Sequence, residues 1–251
     1  MKLNGTIVNL ALLVCVSTSW ADKPYGEMLC HNQGYHCVTV ERGDSWGRLF
    51  SDDYQRDLVK RVNRMNVFLK PDMVIAVPED LARKIPADLS PFPPEQPTLG
   101  EKMIKVSLKE LAWAAYDKDG RQVKWGPVSI GIGNCPEVKD GCATPTGTFR
   151  IFRKQGESCV SRSFPKRLDG PSGGAPMPYC MYFYKGFALH AGEELTGTSS
   201  THGCINLFKA DAQWLNQEFV ETMTKGHKGT LIEITQLANT PSTSIAIGSK
   251  S

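Results

Sequence analysis

No run of basic residues interleaved with aromatics occurs anywhere in the chain, and the formal net charge is only +3 over 251 residues. So small a balance gives no electrostatic reason to bind nucleic acid or an anionic surface, and both partner classes are set aside. Long hydrophobic runs are missing as well. The one sustained apolar stretch, Ile7 to Val16, is too short to span a bilayer. It lies within "MKLNGTIVNLALLVCVSTSWA", whose sole charge is Lys2 and whose end, Ser19-Trp20-Ala21, carries small residues at the two cleavage positions. Residues 1–21 are therefore expected to be a secretory signal cut after Ala21, leaving no membrane span. Val14 before Cys15 suits a lipoprotein signal poorly. Losing Lys2 and no acid takes the net charge from +3 to +2. What remains is long enough for one large domain or two smaller ones.

Export changes the meaning of the cysteines, because thiols in an oxidising compartment tend to pair. Without Cys15, seven of the eight remain, an odd number. Cys30 and Cys37 bracket "HNQGYH", Cys135 and Cys142 bracket "PEVKDG", and Cys159 and Cys180 enclose a stretch rich in Gly, Pro and Ser. Six cysteines allow fifteen pairings. Chain entropy favours the short closures between sequence neighbours, each stabilising by roughly 2–3.5 kcal/mol. That pairing leaves Cys204 alone.

Three segments follow the 22–35 N-terminal stretch. In 36–80, "CVTVE" alternates as a strand and Asp44 and Ser45 stand as N-caps before "WGRLF". A second helix runs through "YQRDLVKRVNRM", and "DMVIAVP" closes as a strand, giving a small βααβ unit. Residues 81–100 carry Pro86, Pro91, Pro93, Pro94 and Pro97 and read as a semi-rigid linker between independent bodies. From 101 to 236 the chain is β-rich. "MIKVSLKELAWAAYD" and "RQVKWGPVSIGIG" read as two strands around "KDG", with "TGTFRIFRK", "MYFYKGFALHAG" and "GTLIEITQ" as further strand candidates. One amphipathic helix is expected over "KADAQWLNQEFVETMTKG". The fold class is mainly β, a sandwich or barrel with one or two helices, followed by a disordered tail over 237–251.

The chemistry-bearing stretch is "STHGCIN", with His190 ending a strand fourteen residues before Cys204. A thiol needs a neighbour that favours thiolate, and an imidazole in hydrogen-bond reach does this and later returns the proton to a leaving amine. His190 and His202 are both candidates, and Gly203 permits the sharp bend that aims amides at an oxyanion. Two other uses stay open. His190, His202 and Cys204 are three zinc-type ligands, with Glu193 and Glu194 the nearest carboxylates, or the histidines are packing residues beside an inert thiol. Arg162, Lys166 and Arg167 lie between Cys159 and Cys180, either as a solvated basic loop or as a lid for substrate carboxylates.

Two resemblances sharpen this. The unit 36–80 resembles a LysM module through Val38-x-Val40-x-x-Gly43-Asp44-Ser45-Trp46, Asn66 and Met73-Val74-Ile75-x-Val77-Pro78. That resemblance implies a shallow groove for N-acetylglucosamine-containing glycans at Gly43, Asp44, Ser45, Trp46 and around Val67–Pro71. Trp46 stands where the family usually has an aliphatic residue.

His190 together with Ser200-Thr201-His202-Gly203-Cys204-Ile205-Asn206 resembles the signature of the L,D-transpeptidase (YkuD-type) catalytic domain. "ATPTGTFRI", "MPYCMYF", "KADAQWL" and "KGTLIEI" extend the likeness over 102–236. The resemblance implies Cys204 as nucleophile and His190 as its base, with the carbonyl of Ala191 or Gly192 orienting the imidazole. His202 and Gly203 would shape the pocket, the amides near Gly203 and Cys204 would form the oxyanion hole, and Thr201, Asn206 and Tyr179 would contact substrate. Ala191 stands where members often have Gly. The implied reaction attacks a peptidoglycan tetrapeptide stem, expels D-alanine and passes the acyl group to a second stem's amine in a 3→3 cross-link. It needs no metal or organic cofactor. An L,D-carboxypeptidase using water, or a non-catalytic wall-binding protein, are the rivals. The location implied is periplasmic, cell-wall associated or secreted, with the module as a tether whose removal spares activity on soluble stems.

Overall fold

The computed structural model describes residues 23–135, 141–165 and 173–236. The expected signal segment and tail, and Lys166 and Arg167, lie outside the described residues. Among those described, no helix is long and apolar enough to cross a membrane.

The N-terminal part runs α1 (Tyr25–Leu29), β1 (Tyr35–Thr39), α2 (Trp46–Leu49), α3 (Asp53–Val62) and β2 (Val74–Pro78), with β1 and β2 paired antiparallel. Ser45 Oγ accepts from Arg48 N at 3.2 Å and Asp52 Oδ1 from Gln55 N at 2.8 Å, so α2 and α3 each start on a side-chain cap. Leu58, Val59 and Val62 are buried along α3. Buried Asn63 then ties the end of α3 to β2, donating to the carbonyls of Val59 and Ala76 and accepting from Ala76 N. Trp46, Val59, Met65, Ile75 and Val77 form the local core.

Ten strands follow before the last helix: β3 (Met103–Ser107), β4 (Ala112–Tyr116), β5 (Gln122–Ser129), β6 (Gly147–Arg150), β7 (Arg153–Lys154), β8 (Val160–Pro165), β9 (Gly174–Pro176), β10 (Met181–Tyr184), β11 (Phe187–Ala191) and β12 (Ile205–Leu207). After α4 (Lys209–Trp214) come the short β13 (Met223–Thr224) and β14 (His227–Lys228), then β15 (Leu231–Thr235). Nine of these make one sheet in the order β6-β15-β3-β4-β5-β12-β11-β10-β7. It curls until Phe149 of β6 meets Phe183 and Tyr184 of β10, with ring centroids 5.4 and 5.2 Å apart. Mainly β architecture with few helices is thus as expected from the sequence.

Three local expectations differ from what forms. "MIKVSLKELAWAAYD" is two strands rather than one, because Ser107 Oγ accepts from Glu110 N and Leu111 takes φ +45°, closing a turn that the apolar run conceals. "TGTFRIFRK" likewise divides into β6 and β7. The expected long helix ends early: a π-helical turn over Leu215–Phe219 follows α4, and Lys154 Nζ donates to the carbonyls of Asn216 and Val220. Met223, expected on its apolar face, is 53 % exposed.

Segment 81–100 does not hang free. It forms 3-10 turns at Leu81–Arg83 and Pro86–Leu89, buries Leu89 and Phe92, and bridges Glu95 to Arg121. It holds no α-helix and no sheet strand, but its apolar side chains are core. The reason lies in β4, "AWAAY", which is buried along its whole length. Trp113 and Ala115 face the main core, whereas Ala112, Ala114 and Tyr116 pack with Leu58, Val62, Leu89 and Phe92. The N-terminal part and segment 81–100 therefore supply the second layer of the sheet.

Charge reinforces that contact. Fully buried Asp211 of α4 receives Arg61 of α3 in a two-pronged bond of 2.8 and 3.1 Å, and Lys124 lies 3.2 Å away. Gly126 makes room for it, since a Cβ there would stand 2.9 Å from the Arg61 guanidinium and 2.8 Å from Trp113 Nε1. The disulfides are Cys30–Cys37, Cys135–Cys142 and Cys159–Cys180, the three sequence-neighbour pairings, and Cys204 is the free cysteine among the described residues.

Candidate active site

Strands β11 and β12 run parallel with Leu189 opposite Ile205, His190 opposite Asn206 and Ala191 opposite Leu207. Strand side chains alternate in direction. Leu189, Ala191, Ile205 and Leu207 enter the main core, so Ala188, His190 and Asn206 share the other face. Cys204 directly precedes β12 and packs beside Ala188, on His190's side of the sheet. His190 and Cys204 line one cavity, together with Thr201, His202 and Asn206.

His190 is buried, and its Nδ1 lies 2.9 Å from the Ala191 carbonyl oxygen. A carbonyl only accepts, so Nδ1 carries the proton and Nε2 is left as the basic nitrogen. Burial pushes the imidazole pKa down, opposed by that hydrogen bond. Burial pushes the Cys204 thiol up, opposed by a backbone contact at Ala188. Both directions favour a neutral thiol–imidazole pair at rest, with the base ready to accept a proton.

The loop before the thiol is tightly tied. Thr144 Oγ1 accepts from Gly131 N at 2.9 Å and donates to the Gly203 carbonyl at 3.0 Å. Thr201 Oγ1 donates to the Cys204 carbonyl at 2.6 Å and accepts from Gly203 N at 3.1 Å. Gly203 adopts φ +107°, and a Cβ would meet the Phe187 ring and the Ala143 carbonyl. Its amide is therefore engaged inside the loop, and of the two amides expected at an oxyanion hole, those near Gly203 and Cys204, this one already has a partner.

The other expected residues divide. Ala191 and Gly192 line a neighbouring cavity with His190, and Gly192 lacks a Cβ where Asn206 crosses it at 3.0 Å. Asn206 Oδ1 is buried without a partner among the described residues. His202 stacks near Phe164, 5.4 Å between centroids, and lies beside the Cys135–Cys142 disulfide. His190, His202 and Cys204 do not form a group of converging ligand atoms. The two such groups among the described residues are built on disulfide cysteines, which opposes the zinc reading. Tyr179 is buried in the main core and lines none of the cavities around Cys204, so its expected substrate contact is not supported. Gly43 and Ser45 are exposed, and Asp44 Oδ2 accepts from Glu41 N. Trp46 is buried with Nε1 donating to the Val67 carbonyl at 2.7 Å. Its ring is a core element and is not presented as a sugar platform.

Sequence reasoning missed the residues that hold the loop between His190 and Cys204 from outside. Asn66 N donates to the Leu195 carbonyl at 3.0 Å and Asn66 Oδ1 accepts from Leu195 N at 2.7 Å. Tyr25 N donates to the Gly197 carbonyl at 2.8 Å, and Met65 bridges Thr196. No local pattern signals such long-range partners.

A free thiol and an oriented imidazole facing one cavity from adjacent parallel strands make a site suited to acyl transfer through sulfur. The family model of the L,D-transpeptidase (YkuD) catalytic domain matches residues 101–234, and the chain belongs to that family. No curated protein matches the chain. Among solved structures it is similar to an L,D-transpeptidase from Xylanimonas cellulosilytica DSM 15894, at 23 % identity and TM-score 0.47 over 66 % of this chain and 74 % of that one. An L,D-transpeptidase from Stackebrandtia nassauensis is 22 % identical over 56 % of this chain and 58 % of that one, with TM-score 0.42. L,D-transpeptidase 1 of Mycobacterium tuberculosis is 22 % identical over 53 % and 60 %, with TM-score 0.37. The alignment thus spans less than two thirds of the latter two chains, and the family match carries the assignment.

Proposed function

We propose that the protein is an exported peptidoglycan L,D-transpeptidase that works through an acyl-enzyme on Cys204. The observation that carries this is the pairing of the free Cys204 with a His190 whose Nδ1 is fixed, both on one cavity of a chain in this family. His190 Nε2 takes the thiol proton as sulfur bonds to the carbonyl carbon of the stem's third residue. The carbon–nitrogen bond breaks, the proton passes to the leaving amine, and a terminal amino acid departs. A second stem's amine then attacks the thioester, the carbon–sulfur bond breaks and the thiol is restored. With the Gly203 amide engaged, the oxyanion role falls to the amide of Cys204. The three disulfides favour an oxidising, extracytoplasmic setting.

Two further cavities, one lined by Cys204 and the other by His190, favour a two-substrate transferase over a hydrolase. Mass spectrometry of tetrapeptide muropeptides incubated with the protein should then show 3→3 dimers exceeding trimmed tripeptide. Tripeptide alone would establish the carboxypeptidase.

The βααβ unit is read as a LysM-like glycan-binding module. Support comes from Val67, Phe68, Lys70 and Met73, which line a cavity with Glu194 and Thr196, Phe68 being 84 % exposed. Phe68→Ala should weaken retention on purified sacculi several-fold, burial of an exposed phenylalanine ring against a sugar face being worth about 1 kcal/mol or more. Undiminished retention would remove the glycan reading.

A further inference from the structure

Cys204 and His202 also line a second cavity of about 400 Å³, whose cations are Arg153, Arg162 and Lys185. No acidic side chain lines it among the described residues. Arg153 stacks on Tyr182, its guanidinium carbon 3.9 Å from the ring centroid, and its Nε is buried without a partner among the described residues. Such a stack holds the planar fork in place while leaving its donors for a ligand. Lys185 projects from the β10–β11 turn and Arg162 from β8, both exposed. Phe164, Met177 and Phe187 complete the wall with apolar surface, which strengthens any charge pairing inside. In the cavity lined by His190 the sign reverses. That cavity carries Glu193 and Glu194, and its one cation, Lys209, is paired with Glu157 at 2.5 Å.

We propose that Arg153, Arg162 and Lys185 form the site for the free C-terminal carboxylate of the stem that acylates Cys204. The inference rests on the acyl-transfer reading and adds the direction in which that substrate lies. The expelled residue is terminal, so its carboxylate is one residue, about 3.8 Å between Cα atoms, from the attacked carbonyl. A cavity that touches the nucleophile is therefore where that carboxylate falls. Cations in the cavity at Cys204 and carboxylates in the cavity at His190 favour one orientation, with the incoming amine toward Glu193 and Glu194. The same cradle explains why the bond attacked is the last one of the stem: a longer peptide has no carboxylate at that distance.

The test compares a tetrapeptide stem bearing a C-terminal carboxylate with the same stem as carboxamide, using the full chain. Thioester formation is expected to favour the carboxylate by about 10- to 100-fold in kcat/KM, the range of a charge-assisted hydrogen bond. Arg162→Gln with Lys185→Gln, both at exposed positions, should shrink that preference, and adding Arg153→Gln should erase it while Arg153→Lys keeps part of it. Calorimetry of both stems on the Cys204→Ala variant should show the same preference in Kd without turnover. Equal binding of the two stems there, or a preference undiminished by the triple substitution, would overturn the proposal. Absence of thioester with either stem, with the binding preference intact, would instead count against acyl transfer alone.

Discussion

A chain truncated to begin at residue 101, where the family match starts, is expected to lose its cooperative fold and all turnover of soluble stems. Leu58, Val62, Leu89 and Phe92 cover Ala112, Ala114, Tyr116 and Trp125 on the second face of the sheet. Four such side chains contribute about 1.5–3 kcal/mol each, roughly 6–12 in all, comparable to the whole stability of a domain. The loop between His190 and Cys204 would also lose Asn66 and Tyr25, which hold Leu195 and Gly197. On this packing the N-terminal part is expected to behave as a structural part of the catalytic body rather than as a detachable tether. A milder version replaces Asp211 by alanine in the full chain. Arg61 would keep Asp57 on its Nε but lose the buried carboxylate on its two terminal nitrogens, facing Lys124 there instead, at a cost of about 3–5 kcal/mol if Asp57 compensates little. A fall in Tm of roughly 6–20 °C should follow. A truncated chain that melts cooperatively and matches full-length turnover would refute this picture.

Cys204→Ala is expected to remove turnover by roughly 10⁴- to 10⁶-fold, as loss of a covalent nucleophile does elsewhere. Folding should be preserved, because the partly buried thiol bonds only weakly with its surroundings. On the proposed mechanism, His190 gives the reaction its pH dependence. Its pKa is pushed below the ordinary histidine value of about 6.5 by burial. It stays neutral, and able to accept the thiol proton, until the pH falls below that value, so the acid limb of kcat/KM should have its midpoint under pH 6.5. The thiol moves the other way. Alkylation of Cys204 should accelerate only on the alkaline side of the ordinary cysteine value of about 8.5. Fast alkylation that levels off at acidic pH would show a resting thiolate–imidazolium pair instead.

The site was legible where chemistry is local. An odd cysteine count, with Cys15 set aside in the expected signal segment, isolates Cys204 as the structure does, and "FALHAG" and "THGC" point to the imidazole and the glycine that line its cavity or its loop. The three disulfides followed from short closures. What stayed hidden depends on partners distant in sequence. "LAWAAYD" lacks the alternation of a half-buried strand, and that lack signals cover on both faces, but nothing in it names Leu89 or Phe92 as the cover. Prolines made 81–100 look like a spacer, although proline excludes helix and sheet without excluding burial. Asn66 entered only through the LysM resemblance, and the fold alone brings it to Leu195. Trp46 looked like a surface aromatic of a binding loop, and its indole instead anchors the loop carbonyl of Val67.

Covalent capture at Cys204 tests the central claim most directly. The full-length protein is mixed with a tetrapeptide stem, quenched in acid within a turnover, and digested for mass spectrometry. The peptide holding Cys204 should gain the mass of the stem less its terminal amino acid, as a thioester that hydroxylamine cleaves. Processing of the stem with no adduct on Cys204, together with continued turnover by Cys204→Ala, would contradict it.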